Sequence, residues 1–182
     1  KAQRNLIMEL GGKPALDVAR HTIAEMSLED RHLLESSGMF VGRVINEYKE
    51  RFGRGDFLIR GVAGVDPNAG YIAIGDTQVR VGQTVQFHIR DQKAAREDLS
   101  LLLEGQKLHG NHGGGLLFSC NGRGTHLFTE PDADAKMIHE ALGDLPLAGC
   151  FAAGEIGPVG DQNFLHGHTA SFAVLRAAEK VD

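Results

Sequence analysis

The chain has 182 residues and a mass of 19.6 kDa, enough for one domain or two small ones with a hydrophobic core of their own. Hydrophobic residues make up 42% of the chain and charged residues 24%, which excludes a disordered tail or linker. The net charge of −5, without any basic run, argues against nucleic acid as a partner.

The first part of the chain predicts a strand, a turn and a helix. Residues 5–10 form a short apolar run that ends at two glycines, and Pro14 stands where the first turn of a helix tolerates proline. Apolar residues then recur at near-helical spacing over residues 16–26. The polar segment 27–37 predicts a further short helix or a connector, and we place the internal boundary of the chain there.

The next part of the chain predicts four short antiparallel strands arranged as a meander. Runs rich in Val, Ile and Phe alternate with turn sequences, and the last run alternates apolar with polar residues, as in a strand with one solvated face. His88 falls on that solvated face, and we expect it to be exposed. The strands are expected at 39–45, 56–65, 71–74 and 81–90.

The remainder predicts two helices and three strands. Asp91 is a good N-cap for a helix that continues to about Glu104, and the second helix starts near Pro131 and ends at Gly143. The glycine-rich residues 109–115 are expected to form a loop. Strands are expected at 115–120, buried on both faces, and at 147–152 and 169–175. The element order predicts an α+β fold, a layered and mostly antiparallel β-sheet with helices packed on it.

The cysteines and the apolar runs bear on the compartment. Cys120 and Cys150 belong to no paired spacing, so we expect two reduced, buried thiols rather than a disulfide. The apolar runs are far shorter than the roughly 20 residues that cross a bilayer, and no signal-peptide pattern is present. We therefore expect a cytoplasmic protein without a membrane partner, and the chain can be an excised piece of a longer one.

Three glycine-flanked segments, at 118–124, 149–158 and 164–169, place polar residues at the ends of predicted strands. If these strands are neighbours, the segments meet around one hollow. Arg123 could then pair with a carboxylate and Glu155 could accept from an amine, a combination that suits a small zwitterion. The residues we expect to bind the ligand are Ser119, Cys120, Asn121, Arg123, Glu155, His166 and His168.

These residues also have other interpretations. Arg123 and Glu155 could pair with each other and only fix two loops. Cys120 could be a core residue, or the nucleophile of a thiol hydrolase with a histidine as its base. His166 and His168 could contribute to a metal site that lacks a third ligand, or one of them to a haem site. We expect no catalytic residue, no metal and no cofactor.

Three motifs stand out in these segments: LLFSCNGRG at 116–124, GCFAAGEIGP at 149–158 and FLHGHT at 164–169. ESSGMFVGRVINE at 35–47 and GDFLIRGVAGVDPNAGYIAIGD at 55–76 fit the earlier part of the same pattern. At these residues the sequence resembles the C-terminal FIST domain, a module of bacterial signalling proteins and of one branch of eukaryotic F-box proteins. The resemblance covers about residues 35–176.

The resemblance implies a domain organisation and a function. Residues 35–182 would form the FIST C-like domain, and residues 1–34 a strand–helix segment that leads in from an N-terminal FIST half absent here. The family implies a non-enzymatic sensory domain that binds a small, amino-acid-like ligand, with that half or a signalling output domain as partner. The alternatives are a protein-interaction scaffold, as in the F-box relatives, a haem- or metal-bound sensor, and a Cys120-dependent hydrolase.

Overall fold

A computed structural model describes residues 1–76, 79–110 and 112–176. The helices are α1 (Ala15–Glu25), α2 (Leu28–Ser37), α3 (Gln92–Lys107) and α4 (Ala133–Leu142), with a 3₁₀ turn at Gly124–His126. The strands are β1 (Ala2–Gln3), β2 (Leu6–Ile7), β3 (Glu9–Leu10), β4 (Lys13–Pro14), β5 (Phe40–Val44), β6 (Phe57–Asp66), β7 (Tyr71–Ile74), β8 (Val85–His88), β9 (His112–Cys120), β10 (Leu147–Ala152), β11 (Glu155–Val159), β12 (Gln162–His166) and β13 (Ala170–Arg176). The predicted α+β class, with mostly antiparallel sheet, is confirmed.

Side-chain caps define where two of the helices begin. The Ser27 hydroxyl accepts from the backbone N–H of Asp30 at 3.0 Å, so the polar segment at 27–37 is a helix rather than a connector. The Asp91 carboxylate accepts from the N–H groups of Lys93 and Ala94 at 3.1 and 3.0 Å and starts α3 as predicted. These caps satisfy backbone donors that have no partner within the helix.

The chain divides into two compact units. One contains Lys1–Arg90 with Val159–Gln162, and the other Asp91–Pro158 with the chain from Asn163 onward. The division expected after residue 34 concerns family domains and stays a prediction. None of the described helices is long and apolar enough to cross a membrane.

The first unit is built on an antiparallel sheet with the strand order β1-β2-β7-β6-β5-β8. The four strands predicted between residues 39 and 90 are present, but they are not a simple meander, because β8 pairs with β5 rather than with β7. Helix α1 buries Ala15, Leu16 and Ala19 against this sheet, in one core with Val41 and Ile72. Burial of this apolar face holds the helix on the sheet.

His88 departs from the expected exposure. Its ring is half-buried and meets the Phe57 ring edge to face, with the centroids 4.9 Å apart. A Cβ at position 42 would collide with Nε2 of His88, so Gly42 leaves the space that the ring occupies. The alternation of polar and apolar residues missed this because a glycine on the neighbouring strand made room for a side chain.

The second unit is built on a three-stranded sheet with the order β10-β9-β13. Strand β9 is parallel to β10 and antiparallel to β13, with Leu117 opposite both Gly149 and Phe172. One face of this sheet packs on α3 and α4. The core there is formed by Leu99, Leu103, Ile138 and Leu145, with Leu117, Leu147 and Phe172 against it.

The loop predicted at 109–115 is wrong from residue 112 onward, since β9 begins at His112. Gly115 lies inside the strand, and a Cβ there would stand 2.8 Å from Cε2 of Phe172 and 3.1 Å from Cδ1 of Leu147. Glycine at this position therefore serves close packing within the sheet rather than a turn.

Two further expectations about the strands are corrected. Strand β9 is not buried on both faces, because Leu116 and Phe118 are 37% and 40% exposed on the face away from the helices. Strands β11 and β12, which pair with each other, were not predicted. Glycine and proline at positions 157 and 158 concealed the first of them.

Candidate functional site

The three glycine-flanked segments lie side by side at one end of the second unit's sheet, where β9 and β10 end and β13 begins. The backbone N–H of Cys120 donates to the carbonyl of Thr169 at 2.9 Å, and that of Asn121 donates to the carbonyl of Ala152 at 2.8 Å. These bonds join the end of β9 to the start of β13 and to the end of β10. The chain topology thus brings together segments that are distant in sequence.

The close approach of β10 to β9 depends on Gly149. A Cβ at this position would collide with the carbonyl oxygen of Leu117, its partner in the parallel register. The atoms in this contact belong to the backbone of Leu117, and they cannot move aside without breaking the hydrogen bonds between β9 and β10. The motif glycine at 149 is therefore required by the geometry that places the first and second segments next to each other.

Arg123 is occupied by a carboxylate of the chain itself. Its Nε and one terminal nitrogen donate to Oδ2 and Oδ1 of Asp134 at 2.9 and 2.6 Å, and its guanidinium carbon lies 5.3 Å from the centre of the Phe128 ring. The Ser119 hydroxyl donates to the same Oδ2 at 2.9 Å. Both members of the pair are buried, at 7% and 5% exposure. This pair fixes the end of β9 to α4, and it takes the place of the Arg123–Glu155 pair considered from the sequence.

Glu155 is the most deeply buried of the expected site residues, at 2% exposure. Its Oε2 accepts from the backbone N–H of Thr169 at 3.3 Å and from the Thr169 hydroxyl at 2.9 Å. Its Oε1 is equally buried and has no hydrogen-bond partner among the described residues. Burying a carboxylate oxygen without a donor costs on the order of 1–3 kcal/mol, so a donor brought by a ligand would stabilise this group.

His166 and His168 flank a glycine just before β13, and both are half-buried. The Nε2 of His166 lies 2.9 Å from the carbonyl oxygen of Gly157 and, when it carries the proton, donates to it. His168 has a φ of 64°, a left-handed conformation that side chains other than glycine rarely adopt. Among the described residues, no group of three or more His, Cys, Asp or Glu is placed to hold a metal ion.

The thiols and Asn121 complete the expected set. Cys120 is 7% exposed, and its Sγ accepts from the backbone N–H of Gly122 at 3.4 Å, as in a thiol that serves packing. Cys150 is exposed, which corrects the expectation of two buried thiols, and both cysteines are free. Cys150 is exposed because its side chain lies on the face of the sheet that α3 and α4 do not cover. Asn121 is exposed at the end of β9.

Two cavities adjoin these segments. The first, about 260 Å³, lies between β10 and the start of α4 and includes Ser119, Gly149 and Phe151. The second, about 490 Å³, lies between α3 and β13 and includes Gly157, His166 and Thr169. The three segments therefore lie at the same end of the sheet, but they border two cavities rather than the single hollow expected.

Sequence reasoning missed the two residues that organise the site, Asp134 and Thr169. Asp134 lies on α4, ten residues beyond the first segment, and the signal for it was a buried arginine that required an acid nearby. Thr169 ends the third motif, and its hydroxyl and backbone N–H both serve Glu155. The importance of Thr169 follows only from the fold, which places it next to Glu155 on β11, a strand that was not predicted.

Comparison with known proteins gives a family and relatives. The model of the FIST C domain family matches residues 15–158. An uncharacterised protein of Mycobacterium tuberculosis is 50% identical over 172 residues, which cover 93% of this chain and 44% of that protein. An uncharacterised protein of Mycobacterium bovis is 48% identical over 172 residues, with the same coverage of both chains. The chain thus spans less than half the length of the curated relatives it matches. No solved structure matches it.

Proposed function

The chain belongs to the FIST C domain family, a family of sensory and signal-transduction domains, and we propose that it is a non-enzymatic sensory domain that binds a small amine-bearing ligand. The ligand is an amino-acid-like metabolite. The signalling partner is the N-terminal FIST half or an output domain of a longer protein, and the compartment is the cytoplasm.

The observation that carries this proposal is the buried Oε1 of Glu155, which has no donor among the described residues. A primary ammonium group brings both hydrogen-bond donors and a positive charge, and it would relieve the cost of burying this oxygen. An anionic ligand would add to that cost. The chemistry of the site therefore favours an amine over a carboxylate or a phosphate at this position.

The route to Glu155 lies beside Thr169, which lines the 490 Å³ cavity and donates to the carboxylate. Because Oε1 is closed off from solvent, a ligand amine reaches it only after a local movement, and we propose that the bend at Gly167 and His168, next to Thr169, is the part that moves. The left-handed backbone of His168 makes this bend costly to hold, on the order of 1 kcal/mol. Ligand binding would change the population of the bend, and a sensor requires such a coupling between binding and conformation.

Arg123 contributes to the proposed site as a positioning residue. Its ion pair with Asp134 fixes the end of β9 on α4. The backbone hydrogen bond from Cys120 to Thr169 in turn fixes the start of β13 relative to the end of β9. The Ser119 hydroxyl donates to the same Asp134 carboxylate, so Ser119 is a positioning residue as well.

A protein-interaction scaffold is the second candidate function, and one surface favours it. The sheet face turned away from α3 and α4 exposes Leu116, Phe118 and Leu175, at 37%, 40% and 55%. Adjoining apolar side chains on one open face are typical of protein contacts. On this alternative, Glu155 would matter only for folding.

Isothermal titration calorimetry with methylamine, L-alanine and L-leucine, against acetate as the anionic control, tests the proposal. We expect at least one amine to bind the wild-type chain and Glu155→Gln to abolish that binding, because the amide places a donor where the ammonium would lie. Glu130→Gln, the same substitution at a residue paired with Arg96 outside the site, is the matched control. Absence of binding by all three amines, with the fold intact by circular dichroism, would overturn the proposal.

A further inference from the structure

We propose that the ligand of this domain is a short apolar peptide, bound in an extended conformation along β13. This inference rests on the amine-binding role proposed for Glu155 and extends the ligand from a single amino acid to a peptide. The binding surface is the groove between β13 and α3, the cavity of about 490 Å³ introduced above. Its apolar part is lined by Leu99, Leu102, Leu103, Ala170, Phe172 and Val174.

Strand β13 has a free edge. It pairs with β9 on one side, and no described strand forms a ladder with it on the other, although the Ser171 hydroxyl near its start donates to the carbonyl of Ile156 on β11 at 2.7 Å. An edge strand presents backbone N–H and C=O groups at regular spacing, and an extended peptide can pair with them as an added strand. A single amino acid uses at most one such pair, so the free edge favours a chain of several residues.

The side walls of the groove suit apolar side chains. Leu102 on α3 is 69% exposed although it borders the cavity, and Phe172 and Val174 lie on the facing strand. When an apolar side chain of a ligand enters the groove, the exposed surface of Leu102 is removed from water, and this favours binding. The volume is within the range of about 300–1,000 Å³ that is usual for ligand sites.

A cation lines one end of the groove, and a buried carboxylate lies behind the residue that lines the other end. At one end Arg176 donates to Oε1 of Gln106 at 2.5 Å, and no carboxylate of the described residues pairs with its guanidinium. At the other end Thr169 leads to the buried carboxylate of Glu155. A peptide has a positive amino terminus and a negative carboxyl terminus, so it would lie parallel to β13, with its amine towards Glu155 and its carboxylate on Arg176.

The dimensions of the groove set the length of the peptide. From Leu99 to Gln106 the wall formed by α3 rises about 10 Å. The seven residues of β13 extend over about 20 Å. A peptide whose extended length lies between these limits has about three to six residues, at about 3.3 Å each.

Isothermal titration calorimetry with the peptide Ala-Val-Ala-Leu tests the inference, with L-alanine, L-leucine and methylamine as the small amines. We expect the peptide to bind more tightly than any of the small amines. Amidation of its carboxyl terminus should weaken binding by roughly tenfold, the loss typical of a charge-assisted pair. Arg176→Gln should produce the same loss, and in that variant amidation should have no further effect. Arg20→Gln, on α1, is the matched control.

The outcomes separate this inference from the proposed function. Binding of small amines that depends on Glu155, without any gain for the peptide, would overturn the peptide inference and leave the proposed function standing. Peptide binding that is indifferent to both amidation and Arg176→Gln would also overturn it. Absence of binding by peptide and small amines alike would overturn both. Loss of peptide binding on N-acetylation would support both, because the acetyl group removes the ammonium that Glu155 would accept.

Discussion

Arg123 and Asp134 form an ion pair through two hydrogen bonds in the interior of the second unit, at 2.9 and 2.6 Å. The two residues lie on different elements, one just after β9 and the other in the first turn of α4. Ser119 donates to the same carboxylate, so the end of β9 is held to the helix at two points. The arginine of the first motif is therefore a structural residue whose position determines where the neighbouring segments lie.

Loss of one member of this pair should be strongly destabilising. Asp134→Ala leaves a buried guanidinium without its counter-ion, and we expect the free energy of unfolding to fall by about 3–5 kcal/mol. Arg123→Ala should have a comparable effect, and the double variant should lose clearly less than the sum. Urea denaturation followed by circular dichroism measures all three. Asp144→Ala, at a fully exposed position just after α4, is the control. Strictly additive losses would show that the two residues do not act as a pair.

Glu155→Gln should separate binding from stability. The glutamine keeps an oxygen that accepts from Thr169 and removes the cost of burying a charged group, so we expect the free energy of unfolding to stay level or to rise by about 1 kcal/mol. Thermal and urea denaturation measure this change. A loss of more than about 2 kcal/mol would instead show that the carboxylate serves the fold, as the scaffold alternative requires.

The sequence predicted the parts of the fold that depend on local signals. The N-cap at Asp91, the C-cap at Gly143 and the apolar periodicity of the helices are written in a few adjacent residues, and the structure places these helices where they were expected. The pairing of β8 with β5 could not be predicted in this way, because both possible partners have the same strand pattern.

The site shows the same limit. The three motifs identified the segments correctly, but the partner of Arg123 lies on a helix outside them, and the hydroxyl that holds Glu155 belongs to Thr169. Which acid pairs with which base is decided by the packing of α4 on β9, a long-range contact with no local signal. The glycines were also ambiguous in sequence, since Gly115 and Gly149 serve close packing whereas Gly143 ends a helix.

Gly149→Ala should disrupt the pairing of β9 with β10. The added methyl group would collide with the backbone of Leu117, so one strand must move away, and we expect a loss of several kcal/mol together with reduced hydrogen-exchange protection over both strands. The control is Gly105→Ala on α3, where a Cβ has nothing within 4 Å. That substitution should stabilise the chain by about 0.5–1 kcal/mol, because alanine is the better helix former. Equal effects of the two changes would contradict the close contact at Gly149.

His88 should make the stability of the chain depend on pH. Burial against Phe57 lowers the pKa of His88 below its usual value of 6.5, so the folded state binds a proton less readily than the unfolded state does. The stability that this residue contributes is complete above pH 6.5 and is lost as the pH falls from 6.5 towards the lower pKa of the folded state. His88→Leu removes the titrating group, and urea denaturation between pH 7.5 and pH 5 should show a smaller loss for the variant than for the wild type. His32→Leu, at an exposed position on α2, is the control for the other histidines. Parallel curves for wild type and His88→Leu would mean that the ring is protonated as easily in the folded state as in the unfolded chain.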